Sequence, residues 1–140
     1  MPTRAARTAV AARAGGRCED CRLPDDAVVA PFEVDHVRAK KHGGGDDAGN
    51  LAWSCFHCNS RKGPNPGGFD PATDRLTPLY DPRTQNWDDH FRWDGFGLIG
   101  LTPEGRTTVA VLELNAAGRV VQRELLAEAG VDVRGRRGDG

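Results

Sequence analysis

Apolar and polar positions in the first third of the chain predict short elements separated by loops. Residues 3–14 are rich in Ala and Arg, with Thr3 as a candidate N-cap and Gly15-Gly16 as a stop, and this pattern predicts an amphipathic helix. Residues 27–34 are apolar and β-branched, and residues 51–54 form a second apolar segment. We therefore expect two strands joined by a long, polar, glycine-bearing loop.

The next stretch predicts a short helix followed by irregular chain. Residues 54–62 form a helix in this interpretation, with Ser54 as N-cap and Gly63-Pro64 as terminator. Residues 63–78 contain four prolines and three glycines, so we expect a connector without regular structure. The predicted order up to this point is helix, strand, loop, strand, helix.

The C-terminal part returns to regular structure. Residues 90–102 contain strand-forming residues around Asp94-Gly95, which predicts a hairpin. Thr102-Pro103 is a favourable helix start, and residues 108–114 predict a buried helix ended by Asn115. Residues 119–128 are compatible with a further helix.

The predicted helices and strands, together with the composition, indicate one small α+β domain that needs support beyond its hydrophobic core. The chain has 140 residues, of which 38% are hydrophobic and 28% are charged, which suits a single core. Gly 18 and Pro 9 leave a large fraction of loops for so small a core. We therefore expect one domain over residues 1–140, with a core motif at 18–62 and a C-terminal extension at 79–130.

Charge and hydropathy exclude some functional classes. The net charge of −1 does not mark the whole molecule as a polyanion binder, so any contact with nucleic acid has to come from local patches. Arginines on the N-terminal helix fit a phosphate-contacting face and a solvated face equally well. The sequence has no long apolar run and no apolar signal region, so we expect a cytoplasmic protein that does not contact the membrane.

Four cysteines provide the strongest chemical signal. They form two C-x-x-C pairs with 33 residues between them, Cys18 and Cys21, then Cys55 and Cys58. Each pair supplies half of a tetrahedral thiolate site, and four thiolates leave zinc no open position, so the predicted Zn²⁺ is structural. Two redox-active pairs or four unrelated thiols are the alternatives, and the doubled spacing favours the metal.

Polar residues near the second cysteine pair suggest a separate site. If Cys55 and Cys58 lie on the first turn of the helix, Asn59 points about 100° away from their face and shares a face with Lys62. Such a face offers an amide oxygen to a hard cation and an ammonium group to a phosphate.

The ordered motifs resemble the four-cysteine branch of the HNH nucleases, which carry the ββα-metal motif. The resemblance covers residues 18–62 and consists of both cysteine pairs, V-D-H-V (34–37), K-K-H-G-G-G-D-D (40–47), Asn50-Leu51 and the Asn59-x-x-Lys62 that follows the last cysteine. It implies a small zinc-stapled ββα-metal fold with flanking helices and a C-terminal hairpin plus helix extension. In the family pattern His36 is the first H, Asn50 is the N, and Asn59 takes the last H/N position.

The resemblance also implies the roles of these residues. Asp35 and Asn59 would hold one Mg²⁺ or Mn²⁺ ion, and neutral His36 would accept the proton of the attacking water. Asn50 would fix the loop between the strands, and Lys62, together with Arg61, would contact a neighbouring phosphate. His42 is either a plain loop residue or one that contacts DNA or the active site. Because neighbouring residues of a regular strand face opposite sides, Asp35 and His36 converge only if the strand ends or distorts there.

The resemblance implies hydrolysis of DNA to 5′-phosphate and 3′-hydroxyl ends, and we expect the substrate to be double-stranded. Two alternatives stay open: a non-catalytic zinc module that binds nucleic acid or a protein partner, and an HNH nuclease that acts on RNA. The sequence identifies no interface between subunits, so the oligomeric state is open and a dimer is possible. Trp53, Trp87 and Trp93 are expected to be core residues rather than part of a site.

Overall fold

The computed structural model describes residues 2–135, which contain three two-stranded antiparallel sheets, five α-helices and two short 3-10 helices, Lys40–His42 and Ala48–Asn50. The elements, in chain order, are α1 (Arg4–Arg13), β1 (Glu33–His36), β2 (Leu51–Ser54), α2 (Phe56–Lys62), β3 (Gly67–Phe69), β4 (Leu76–Pro78), α3 (Trp87–His90), β5 (Phe91–Asp94), β6 (Gly97–Gly100), α4 (Pro103–Val111) and α5 (Ala117–Glu128). The sheets pair β1 with β2, β3 with β4, and β5 with β6. This mixture of helices and small sheets confirms the α+β class.

The first helix has the predicted bounds and the predicted cap. The Thr3 hydroxyl accepts a hydrogen bond from the Ala6 amide at 3.0 Å, which satisfies one of the free amides at the helix start. The Arg13 guanidinium at the other end donates to the carbonyl of Ala48 at 2.9 Å and to that of Leu51. The helix is therefore tied to the β1–β2 hairpin by a side chain that the sequence pattern places on a polar face.

Strand β1 is shorter and starts later than predicted. Residues 27–32 are outside any strand, and pairing begins at Glu33, opposite Ser54, and ends at His36, opposite Leu51. Pro31 has no amide hydrogen to donate to a ladder, and β2 has only four residues to offer, so pairing is limited to four positions. The expected end of the strand at the Asp35-His36 pair is confirmed.

Two further predictions of local structure were wrong. Ser54 does not cap α2; it is the last residue of β2, and the cap is Cys55, whose Sγ accepts from the Cys58 amide at 3.4 Å. Residues 63–78 are not irregular throughout, because β3 and β4 form a hairpin there. Its loop is organised by the Asp70 carboxylate, which accepts from the Ala72 amide at 2.9 Å and forms a twofold bridge with Arg106.

The C-terminal extension contains the predicted hairpin and both helices. Gly95 takes a positive φ of 61° at the turn between β5 and β6, and the Thr102 hydroxyl caps α4 by accepting from Gly105 at 3.1 Å. Helix α4 ends at Val111 rather than running to residue 114. Glu113 takes a positive φ of 49°, which a right-handed helix does not allow, and Leu112 and Leu114 on either side of it are both fully buried.

One continuous apolar core joins the core motif to the extension. It includes the four cysteines, Trp53 and Trp87, with Trp93 packed against it, so the expectation that the tryptophans are core residues is confirmed. No helix within residues 2–135 is long and apolar enough to cross a membrane.

Candidate active site and metal centre

The four cysteines form one buried cluster. The four sulfur atoms lie within 4.8 Å of one another, and the Cys21 and Cys55 sulfurs are 3.7 Å apart. A tetrahedral site with Zn–S bonds of about 2.3 Å requires sulfur atoms about 3.8 Å apart. The donor set and its spacing therefore fit zinc, and the four thiolates complete a closed structural site.

Local backbone structure places each cysteine pair. The Cys18–Cys21 pair lies in a tight turn in which the Arg22 amide donates to the Cys18 carbonyl at 2.9 Å and Arg22 adopts a positive φ of 70°. Cys55 and Cys58 are the N-cap and the first turn of α2, so both sulfurs face the same side. The metal site thus joins the turn after α1 to the start of α2.

Asp35 and His36 end β1 and contact different partners, as expected for neighbours in a strand. The Asp35 carboxylate is buried and faces Lys62 of α2, with oxygen-to-Nζ distances of 3.0 and 3.3 Å. The His36 ring is half-buried and faces the loop that follows β1. The two residues are linked through Lys62, whose ammonium also donates to the His36 carbonyl at 3.0 Å and the Val37 carbonyl at 3.3 Å.

Lys62 is therefore a buried partner of Asp35 in this structure. Its side chain is only 8% exposed and that of Asp35 only 10% exposed, whereas the sequence pattern suggested an ammonium directed at a phosphate. Burial raises the pKa of Asp35, and the Lys62 charge and hydrogen bond act in the opposite direction. The ammonium ties the end of α2 to the end of β1.

His36 has a carboxylate partner that the motif analysis missed. Its Nε2 lies 2.7 Å from Oδ1 of Asp46, which is also 3.2 Å from the Lys40 ammonium. The hydrogen bond from His36, followed by that from Lys40, holds the pKa of Asp46 below its ordinary value. With Asp46 accepting from Nε2, the neutral ring keeps the Nδ1 lone pair available. The sequence signal was Asp46 itself, ten residues after His36 and directly after the three glycines.

Asn50 bonds the backbone of the loop between β1 and β2. Its Oδ1 accepts from the Arg38 amide at 2.8 Å, and its Nδ2 donates to the Arg38 carbonyl at 3.0 Å and to the Gly45 carbonyl at 2.8 Å. The loop passes so close to itself that a Cβ at Gly44 would lie 1.7 Å from the Arg38 carbonyl oxygen. The position requires glycine because of this close approach, although its φ is not positive.

The remaining predicted site residues are dispersed around α2 and the loop. Asn59 is half-buried, and its side chain has no hydrogen-bond partner in the part of the chain that the structure describes. Arg61 is exposed and pairs with Glu113 of the extension at 3.2 Å. His42 is exposed, and its carbonyl accepts from the Arg38 side chain at 2.6 Å.

The extension reaches the cysteine cluster directly, which the sequence pattern gave no reason to expect. Nη2 of Arg119 lies 3.0 Å from the Cys21 sulfur and 3.9 Å from the Cys55 sulfur. Burial alone would lower the pKa of Arg119, but the cysteine thiolates more than offset this and raise it. His57, between the second pair of cysteines, bonds the Leu112 carbonyl at 2.8 Å.

Comparison with known proteins defines the class. Residues 18–65 match the family model of the HNH endonucleases, so the chain contains an HNH endonuclease domain. A curated relative, the Septu protein PtuB of Bacillus thuringiensis, is 30% identical over 116 residues, a match that covers 78% of this chain and 39% of that protein. The chain thus spans well under half of that relative's length. No solved structure matches this chain significantly.

Proposed function

We propose that this protein is a metal-dependent endonuclease that hydrolyses phosphodiester bonds of DNA. The observation that carries the proposal is the bond between Lys62 and Asp35, because it packs α2 against the end of β1. The proposal is that Asp35, His36 and Asn59 act together at this end of β1, as the chemistry of an HNH nuclease requires. The closed cysteine site has no open coordination position, so a second cation is required for the chemistry.

Asp35 and Asn59 are the proposed ligands of that cation. A carboxylate and an amide oxygen, with water completing the shell, suit Mg²⁺ or Mn²⁺. When bound, the ion would neutralise charge that develops on the phosphate and on the departing 3′ oxygen. The side-chain amide of Asn59, which bonds none of residues 2–135, and the exposed residues of the loop are consistent with a site that opens to solvent.

His36 is the proposed general base. Its Nδ1 takes the proton from the attacking water, while Asp46 holds Nε2–H and stabilises the imidazolium that forms. The new bond joins the water oxygen to phosphorus, the P–O3′ bond breaks, and the departing 3′ oxygen takes up a proton from solvent water. The products are a 5′-phosphate and a 3′-hydroxyl. Asn50 contributes by holding the loop that carries Asp46 through its bonds to Arg38 and Gly45.

The proposed DNA contacts are exposed cations beside this region. Arg61 and His42 are accessible, and Lys40, with its side chain 57% exposed, lies on the same loop as His42. Lys62 is proposed to reach a phosphate only if its bond to Asp35 is exchanged for one to the substrate. Contacts made by a few local cations predict binding that weakens as salt increases.

The test is cleavage of supercoiled plasmid with Mg²⁺ or Mn²⁺ and with a chelator of both. We expect the wild type to nick or cut the plasmid, and DNA ligase to reseal the nicks because the ends are 5′-phosphate and 3′-hydroxyl. His36→Ala should lose activity by at least about a hundredfold while it keeps its zinc and its fold. His90→Gln is the matched control, since His90 bonds Thr102 in the extension.

The outcomes separate the competing functions. Metal-dependent nicking that His36→Ala abolishes supports the proposal, whereas equal activity of the variant removes His36 as the base. Cleavage of RNA but not of plasmid under the same conditions would assign the domain to RNA. A zinc-loaded protein that binds DNA and cleaves neither substrate would be a non-catalytic module.

A further inference from the structure

The charge of the cysteine cluster needs a partner inside the protein. Four thiolates around Zn²⁺ carry a net charge of −2, and all four cysteines are buried, with exposures of 2% or less. Taking such a charge out of water is unfavourable unless hydrogen bonds or opposite charges compensate. Ligand sulfurs with charged donors nearby hold their metal more tightly, and loss of such outer partners weakens metal binding.

Arg119 is the cation that meets this need. It lies in the first turn of α5, is only 7% exposed, and donates from Nη2 to the Cys21 sulfur at 3.0 Å. Its Nη1 is buried without a hydrogen-bond partner among residues 2–135. A buried guanidinium with one unsatisfied nitrogen lowers the stability of the fold. Its presence is explained if its positive charge stabilises the negatively charged thiolates.

A second arginine on the same helix provides the contrast. Arg123, one turn later and only 2% exposed, donates to the carbonyls of Phe96 at 2.9 Å and Leu114 at 2.8 Å. Its described hydrogen bonds are to backbone oxygens of the extension and not to sulfur. The two arginines are alike in residue type, helix and burial, and they differ in what their guanidinium groups bind.

We infer that Arg119 is a positioning residue of the zinc site, and that the C-terminal extension is required for the core motif to retain its metal. The contacts of α2 with the extension agree with this role. His57 bonds the Leu112 carbonyl and Arg61 pairs with Glu113, so the helix that carries the second cysteine pair is held by the same extension. The inference does not depend on nuclease activity.

The experiment is zinc release from the full chain. Zinc-loaded wild type, Arg119→Gln, Arg119→Lys and Arg123→Gln are mixed with an excess of a coloured chelator, and the rate of zinc transfer is followed. Each protein is measured at the temperature at which its free energy of unfolding equals that of the wild type under reference conditions. We expect Arg119→Gln to release zinc about 10- to 100-fold faster, Arg119→Lys to be intermediate, and Arg123→Gln to match the wild type.

A spectroscopic readout separates a role at sulfur from a general loss of stability. With Co²⁺ in place of zinc, the hydrogen bond from Arg119 lowers the energy of the sulfur lone pair, so the sulfur-to-cobalt charge-transfer band of Arg119→Gln should shift to longer wavelength. Arg123→Gln should leave the band unchanged. If Arg119→Gln does not fold, Arg119→Lys still tests the inference, because it removes the Nη2 donor of the guanidinium but keeps the positive charge.

Three results would overturn the inference. The first is zinc release from Arg119→Gln at the wild-type rate at equal stability. The second is an equal acceleration in Arg123→Gln, which would show that the effect is only structural. The third is a purified wild-type chain that holds no zinc at the cysteine cluster.

Discussion

Replacing Lys62 by Met tests the contact on which the proposed active site depends. The substitution keeps an unbranched side chain of similar length, removes the ammonium, and leaves the Asp35 carboxylate buried without its partner. It also removes the donors to the carbonyls of His36 and Val37. Removing one member of a buried ion pair costs about 3–5 kcal/mol.

We expect the lower end of that range. Burial already raises the pKa of Asp35, so its carboxyl can take up a proton once the ammonium is gone, which relieves part of the penalty. A loss of about 3 kcal/mol corresponds to a decrease in Tm of roughly 10 °C for a chain of this size. The decrease in Tm is measured by thermal unfolding of the zinc-loaded protein, monitored by circular dichroism.

Two further variants make the result interpretable. Asp35→Asn combined with Lys62→Met removes both charges and should recover a large part of the stability lost in Lys62→Met. Arg61→Met is the control on the same helix, because its pair with Glu113 is exposed and should contribute less than about 1 kcal/mol. If Lys62→Met melts with the wild type, or if the double variant is no more stable than Lys62→Met, the ion pair does not hold α2 to β1.

The same variant has a consequence for the proposed cation. Because Nζ lies within 3.3 Å of both Asp35 oxygens, it opposes any second positive charge at that carboxylate. We therefore expect Lys62→Met to bind Mn²⁺ more tightly than the wild type, as measured by titration of the free Mn²⁺ signal in electron paramagnetic resonance. Weaker binding would show that Lys62 does not compete with the cation.

The remaining predictions concern the loop and the extension. Asn50→Ala removes three hydrogen bonds of a half-buried side chain and should lower the free energy of unfolding by about 1–2 kcal/mol. Hydrogen exchange at the Arg38 amide, which donates to Asn50, should become faster. Unchanged exchange at this amide would show that Asn50 does not hold the loop. Gly44→Ala puts a Cβ 1.7 Å from the Arg38 carbonyl oxygen and should lower Tm, whereas Gly118→Ala, which meets nothing within 4 Å, should not. The Arg106 guanidinium holds the pKa of Asp70 well below its usual range, so the bridge contributes stability above about pH 4, the unfolded value, and loses it as the pH falls further. Asp70→Asn should therefore flatten the acid side of the stability profile measured by denaturant titration, and an unchanged profile would refute this.

Local sequence information was sufficient wherever one short segment determines its own structure. The Thr3 cap, the glycine after Lys62 and the Asp94-Gly95 turn all depend on neighbours within a few residues. The two C-x-x-C pairs likewise predicted a single four-cysteine site, since two cysteines spaced by three positions share a face. The proposed loop-fixing role of Asn50 came with the resemblance to the HNH nucleases, and Asn50 bonds the backbone of Arg38 and Gly45 in the structure.

Other features depended on contacts between distant residues. The Lys62–Asp35 pair joins positions 27 apart, and the Arg119–Cys21 contact joins positions 98 apart. The presence of a lysine or an arginine in the sequence does not reveal whether its charge will be buried against a carboxylate or a sulfur, or exposed to a phosphate. Asp46 was overlooked because two adjacent aspartates in a glycine-rich loop have no distinctive spacing.

The sequence by itself determined the chemistry available to this protein: four thiolates for one metal, and a histidine, a carboxylate and two amides for another site. Only the tertiary structure decided which charges face each other. An unpaired buried charge is costly, so Lys62 and Arg119 are each buried against a partner of opposite charge. Those partners are distant in the sequence, and only the packing of α2 and α5 brings them into contact.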